Sequence, residues 1–544
     1  MKILKRKWIA LTITLFLLPL IVNSCVTRTL VGAAVSLPKY PDFNKDGYSD
    51  LAVGVIGENI GTIVDAGAVN VMFGGPKGIA TAPPYAPYDQ FLTQNTENLQ
   101  DTCENNDEFG FCLAFGDFDH NGVSDLVVGI PHEDVGAQYD AGAVQVVYGD
   151  PFGPNGFGKG PIFTQDTLNV EGVSASGDHF GYALAVGDFN KDTYDDLAIG
   201  VPYEHVSSAT DAGAVNVIYG SPGGLSATWK ADQIWTQNSA YVDDVSESAD
   251  GFGSSLTAAD FNGDGYADLA IGVPFEIIGT VVNAGAVNVL YGSSAGLSAT
   301  TKPDQFWYQG SSSMGGVSRL GDLFGDALVA GDFNGDGFAD LAIGACGKAI
   351  NNNLAAGAVF PIYGSATGLQ RVGAMFYQGA NFGIKDMAER DDRFGDTLAA
   401  GDFNSDGYAD LAVGIPYENV GTIVDAGAVH IFYGKIGGLQ ATAPDDQLWT
   451  QDSASVADLC EASDYFGDTL TVGDFNGDKH ADLAIGVPYE NIGTTLIDAG
   501  AVNVLYGSPT GISATYVPNQ LWTQNSAGIE DTSESYDFFG GQRH

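Results

Sequence analysis

Seven short loops in this chain carry oxygen-bearing side chains at one fixed spacing. In the fourth, Asp260, Asn262, Asp264 and Asp268 stand at loop positions 1, 3, 5 and 9, with Gly265 at position 6. Alternate residues of a tightly curled loop turn their oxygens inward, and a glycine at position 6 permits the bend. The backbone carbonyl of position 7, Tyr266, adds a further oxygen. A calcium ion takes six to eight such oxygens at about 2.3–2.6 Å, so the chemistry expected here is binding of a hard divalent cation. The corresponding residues are Asp42, Asn44, Asp46, Tyr48 and Asp50 in the first loop, and Asp117, Asp119, Asn121, Val123 and Asp125 in the second. They are Asp188, Asn190, Asp192, Tyr194 and Asp196 in the third, and Asp332, Asn334, Asp336, Phe338 and Asp340 in the fifth. The sixth has Asp402, Asn404, Asp406, Tyr408 and Asp410; the seventh has Asp474, Asn476, Asp478, His480 and Asp482.

An EF-hand opens in the same way but closes with a bidentate Glu at position 12. Here position 12 is Val53, Val128, Ile199, Ile271, Ile343, Val413 or Ile485. An apolar strand residue cannot be that ligand, so the loops are expected between two strands rather than two helices. Thr193 and Lys479 replace the position-6 glycine in the third and seventh loops, which predicts weaker sites there. Up to seven Ca²⁺ ions are expected. They would relieve the crowding of the loop carboxylates, and seven dications would bring the formal charge of −47 to −33.

Catalytic chemistry is harder to find. The histidines His120, His132, His179, His205, His430, His480 and His544 occupy scattered positions, none paired at zinc spacing, and no nucleophile elbow has a partner set. A non-enzymatic protein is therefore expected. One enzymatic alternative is a calcium-dependent polysaccharide lyase-like activity, with metal assisting proton abstraction. A purely structural surface protein is a third reading.

The elements that must hold the loops follow from a repeat. The leading Asp recurs at steps of 75, 71, 72, 72, 70 and 72 residues. Each period holds about four strand-like pieces. In the last they are Thr469 to Phe475, Asp482 to Val487, Ala501 to Tyr506 and Gln520 to Thr523. The second is apolar on both faces and suits a sheet covered on both sides. No segment has sustained helical spacing, and 74 glycines agree with many tight turns. Four strands per unit in seven units predict an all-β, seven-bladed β-propeller of four-stranded antiparallel blades, with the loops as strand 1–2 hairpins.

A Phe-Gly pair precedes six of the loops by eight residues, as in Phe252-Gly253 and Phe466-Gly467, and a Gly-x-Pro turn follows, as in Gly200-Val201-Pro202. With these motifs the chain resembles the FG-GAP repeat proteins, including integrin α-subunit propellers and the C-terminal region of glycosylphosphatidylinositol-specific phospholipase D. The resemblance implies a seven-bladed propeller used for protein binding and adhesion, with calcium in the strand 1–2 loops. The fifth unit departs most: Ala345-Cys346-Gly347 replaces the Pro turn, and Ala355 stands where other units have Asp425 or Asp498. The first loop has no Phe-Gly before it, while Phe539-Gly540 lies near the far end. That pair is expected either to complete the first blade or to begin a truncated repeat.

The N-terminus reads as an export signal over 1–24: Lys2, Lys5, Arg6 and Lys7 precede an apolar run from Trp8 to Val22. Val22-Asn23-Ser24-Cys25 resembles a lipobox, which implies lipidation of Cys25; the rival reading is cleavage near Ala33-Ala34 and secretion. Residues 25–41 would be a tether or the start of the first blade, and 42–544 the propeller. Cys103 and Cys112 could pair in an oxidising compartment. With 68 Asp and Glu against 21 Lys and Arg, the chain would repel nucleic acid and anionic lipid. A membrane would be met only through a lipid anchor. The function expected is an exported protein-binding or adhesion module at the cell surface. Its protein, surface or matrix ligand is expected on the face opposite the calcium loops, in the longer, more variable strand 2–3 and inter-blade loops.

Overall fold

The computed structural model describes residues 40–541, apart from 81–88, 98, 150–156, 371–374, 380–382 and 443–444. The signal segment, Cys25 and the Ala33-Ala34 site lie outside the described residues. Among those described, every regular element is a β-strand, and no helix is long and apolar enough to cross a membrane.

The strands form seven separate antiparallel sheets. The fourth sheet is typical, with strands Ser255–Ala259, Asp268–Val273, Ala286–Leu290 and Gln305–Trp307 paired in sequence order. Its second strand pairs Leu256 with Ile271 on one side and Ile271 with Asn288 on the other. Both middle strands are wholly buried, whereas the first and last are half-buried. Continuous apolar runs such as Asp268-Leu-Ala-Ile-Gly-Val need cover on both faces, and a neighbouring sheet on each side supplies it.

Seven apolar layers lie between successive blades. In one of them Val215 and Val217 of the third blade meet Leu269 and Ile271 of the fourth. The first blade shows its second to fourth strands, Leu51–Val55, Ala68–Met72 and Gln90–Leu92. Among the described residues the fifth shows Phe324–Gly331, Asp340–Ala345 and Ala358–Ile362, and Val359 is bridged to Phe376 on the outer side.

The Phe-Gly and strand-2 glycines explain one another. Gly253 sits between two blades, donating its N–H to the carbonyl of Gly272 at 3.1 Å. A Cβ added at Gly200 in the blade before would lie 2.2 Å from Gly253 O. No side chain fits such a backbone approach, which accounts for glycine on both sides. The same contact closes the ring. Gly540 donates to Gly54 O at 3.0 Å, and a Cβ at Gly486 would lie 2.0 Å from Gly540 O. Phe539-Gly540 therefore completes the first blade. Phe539 is fully buried between Leu51, Val53 and Val55 of the first blade and Val502 and Val504 of the seventh.

The cysteine expectation fails: Cys103, Cys112, Cys346 and Cys460 are all free thiols. Cys103 is buried in the link before the second blade, while Cys112 opens that blade's first strand opposite Gly129. Nearness in sequence does not bring their side chains together.

Candidate metal centres

Six of the seven loops join the first and second strands of a blade, as in the turn from Ala259 to Asp268, and the first loop leads into Leu51–Val55 in the same way. The position-9 residues Asp50, Asp125, Asp196, Asp268, Asp340, Asp410 and Asp482 are fully buried. Each accepts two backbone hydrogen bonds. Oδ2 takes the N–H of the phenylalanine at position 2, at 2.7–3.0 Å. Oδ1 takes the N–H of the glycine two residues past the third strand, at 2.8–3.0 Å. Burial pushes Asp125, Asp196, Asp268 and Asp340 up to about 8, despite those two donors and with the loop's other carboxylates adding to the rise. Such groups become comfortable anions only beside a cation.

The remaining positions curl around the same point. Oδ2 of position 1 accepts the N–H of position 6 in all seven loops, at 2.7–3.0 Å. The side-chain Oδ1 of position 5 accepts the N–H of position 7, for example Tyr266 N to Asp264 Oδ1 at 3.0 Å and His480 N to Asp478 Oδ1 at 2.9 Å. Position 6 has a left-handed backbone in every loop, including Thr193 at φ 80° and Lys479 at φ 74°. The bend is thus kept without glycine, at the cost of strain.

The second loop gathers its acids most tightly. One oxygen from each of Asp117, Asp119 and Asp125 lies within 4.8 Å of the others. That spread suits three ligands on one ion with bonds of about 2.3–2.6 Å. Asp117 Oδ1 is buried there with no donor. Among the described residues no other hairpin brings three carboxylates so close. In those six, position 3 is Asn and the position-5 carboxyl turns to the backbone. Asn262 lies against Asp268, its amide 3.0 and 3.2 Å from the two oxygens. Asn190, Asn334 and Asn476 meet their position-9 aspartates in the same way, whereas in the first loop Asn44 Nδ2 donates to Asp46 Oδ2 at 3.1 Å.

The loops are also strung together. The N–H of position 8 donates to the position-1 carbonyl of the preceding blade, from Ala267 to Asp188 and from Ala339 to Asp260. Ser49 to Asp474, at 3.0 Å, joins the first blade to the seventh.

The opposite rim holds groups that the repeat pattern did not single out. His132 and His179, read as scattered, meet edge-to-face with ring centroids 4.8 Å apart. Burial lowers His179 to about 4, with His132 adding to the effect. Inter-blade and strand 2–3 loops also bring carboxylates together at the junctions between blades, as with Glu247, Asp250 and Glu276. The signal that would have found them is a Glu three residues before an Asp that itself lies two before Phe-Gly, recurring in step with the Glu after Gly-x-Pro.

Six segments, 109–147, 180–218, 252–290, 324–359, 394–432 and 466–505, match the FG-GAP repeat. The chain is 35% identical over 165 residues to phosphatidylinositol-glycan-specific phospholipase D of Bos taurus, covering 30% of this chain and 18% of that protein. It is 30% identical over 251 residues to integrin alpha-PS2 of Drosophila melanogaster, covering 44% of this chain and 15% of that protein. The chain therefore spans about a fifth or less of the length of these curated relatives. Among solved structures, the periplasmic gluconolactonase of Pseudomonas aeruginosa aligns with 90% of this chain and 98% of its own at 13% identity, with a TM-score of 0.45.

Proposed function

Since the chain belongs to the FG-GAP repeat proteins as an integrin-α-like β-propeller, we propose that it is a calcium-stabilised, non-catalytic binding module exported to the cell surface. Calcium would be held by loop positions 1, 3, 5 and 9 with the position-7 carbonyl. There it would neutralise the buried position-9 carboxylate and tie the hairpin to the ring. The orphaned, buried Asp117 Oδ1 beside Asp119 and Asp125 supports this fit. The basic and apolar N-terminal run supports export.

One observation carries the binding role. Of the eighteen strongly exposed large apolar side chains among the described residues, fifteen lie in strand 2–3 or inter-blade loops, on the rim opposite the hairpins. Tyr139, Val282, Leu354, Val424 and Ile497 occupy one repeated position, and Val245 stands in a neighbouring loop. The hairpin side exposes only Trp229, Ile436 and Tyr516. Exposed apolar side chains concentrated on one rim support an interaction surface there. A protein or matrix ligand is expected to seat there.

The test is binding of the intact chain to extracellular-matrix proteins and to isolated cell surfaces. A Tyr139→Asp, Val245→Asp variant should lose binding at least tenfold, while Trp229→Asp, Ile436→Asp should retain it. The reverse pattern would place the site on the hairpin side and overturn the proposal. The lyase reading has one observation in its favour, the His132–His179 pair with Glu108 Oε2 3.5 Å from His132 Nε2. Polysaccharide cleavage abolished by His132→Ala would favour it.

A further inference from the structure

On the rim opposite the hairpins, each blade meets the next through a repeated group of side chains. Between the third and fourth blades, Glu247 and Asp250 come from the link and Glu276 from the strand 2–3 loop of the fourth. One oxygen from each lies within 4.8 Å of the others. Asp250 is fully enclosed and Glu276 almost so, at 1% exposure. Asp250 Oδ2 accepts the N–H of Glu247 at 2.5 Å, and Gln237 Nε2 donates to Glu276 Oε2 at 2.6 Å. Those bonds leave Asp250 Oδ1 and Gln237 Oε1 buried with no donor. Gln237, itself only 1% exposed and tied to Glu276 through its amide nitrogen, thus brings a second buried and orphaned oxygen to the junction. The arrangement recurs at Glu461, Asp464 and Glu490 with Gln451, where Asp464 Oδ1 and Gln451 Oε1 are again without donors. Three carboxylates thus share one small space at each junction, and the enclosed Asp250 Oδ1 and Asp464 Oδ1 have no donor at all, an unfavourable burial unless something positive enters.

The chain contains its own control. Between the fourth and fifth blades the three positions are Arg319, Asp322 and Lys348, so both glutamates are replaced by cations around an unchanged aspartate. Lys348 Nζ binds Asp322 Oδ2 at 2.7 Å and the Val317 carbonyl at 3.3 Å. Gln309 Nε2, whose equivalents donate to a glutamate, has no acceptor there. The formal charge of the three residues goes from −3 to +1 while the fold of the junction is kept.

We propose that the junctions built like Glu247–Asp250–Glu276 are a second set of cation sites, each taking a hard divalent ion of the calcium class between two blades, and that Lys348 is the built-in substitute for that ion. All the donors are oxygens, which suits such an ion and not a thiophilic one. Burial, with Asp250 next, pushes Glu276 up to about 8, and Glu490 behaves alike beside Asp464.

Two measurements decide it. The first is anomalous scattering from crystals of the full chain grown in saturating Mn²⁺. Peaks are expected at Asp250–Glu276 and Asp464–Glu490 and not at Asp322–Lys348; peaks in the hairpin loops alone, or none, overturn the proposal. The second is the number of calcium ions per chain, by emission spectrometry after equilibrium dialysis at pH 7.5. The E247R/E276K variant should hold one ion fewer than the parent, and R319E/K348E one more. The hairpin loops are common to all three chains, so their occupancy cancels. An unchanged count in a folded R319E/K348E chain means the junction carboxyls share protons instead, and the proposal falls. That second variant stands even if the first fails to fold.

Discussion

The sharpest mechanical prediction concerns the seam of the ring. Phe539 is fully buried, donates its N–H to Ala499 O at 3.1 Å, and fills the layer between the seventh and first blades. Phe252 does the same between the third and fourth, fully buried with its N–H on Ala212 O at 3.0 Å. Truncating a fully buried phenylalanine to alanine costs about 3–5 kcal/mol, from lost transfer energy and the cavity left behind. If Phe539 is as integral as Phe252, Phe539→Ala and Phe252→Ala should fall in that range and agree within about 1 kcal/mol. Equilibrium urea unfolding followed by tryptophan fluorescence, with calcium held constant, measures both. A Phe539→Ala cost below a third of the Phe252→Ala cost would mean that the last segment merely rests on the ring, and would refute the closed seam.

Three further outcomes follow from the geometry. Chelating calcium should lower the melting temperature, because a ligand of the folded state stabilises it by mass action; an unchanged melting curve in chelator would contradict calcium loading. Thr193→Gly should raise stability by about 0.5–1 kcal/mol, since a β-branched residue at φ 80° gives up roughly 1–2 kcal/mol of strain and glycine returns part of that in chain entropy; denaturant midpoints test it. His179 has a folded value of about 4 against an unfolded value near 6.5, so the unfolded chain binds the extra proton. Its contribution is present above pH 6.5 and lost as pH falls towards 4. A stability–pH profile of His179→Gln should therefore be flatter across that window than the parent's.

Much of the fold was legible because it is written seven times. The second strand, Asp482 to Val487, matches in both residues, since an apolar run bounded by a position-9 Asp and a Pro turn has sharp ends. The outer strand is shorter than its pattern, Gln520–Trp522 instead of ending at Thr523, because Thr523 N–H turns to Ser526 Oγ. The hairpin loops were legible as local spacing. What was not legible depends on contacts between units. Gln237, Glu247 and Glu276 are spread over 39 residues of sequence and converge only when two blades dock. The fifth unit's Arg319 and Lys348 read as divergence until Asp322 is seen between them. The cysteines failed for the opposite reason, since sequence proximity says nothing about the side-chain directions on which a disulfide depends.

The seam has a kinetic consequence. At five other junctions a glutamine–glutamate bond joins residues 39 or 40 apart, whereas Gln524 and Glu58 are 466 apart. By the logarithmic dependence of loop closure on length, that contact carries roughly 2 kcal/mol more entropic cost before it forms. Six blade pairs can therefore assemble from local segments, while the seventh must wait for the two ends of the array to find each other. The same asymmetry makes this one interface the first to breathe. A protease or a competing strand would enter the ring there, between the first blade and the seventh, and a chain permuted to begin at another junction would open at that junction instead.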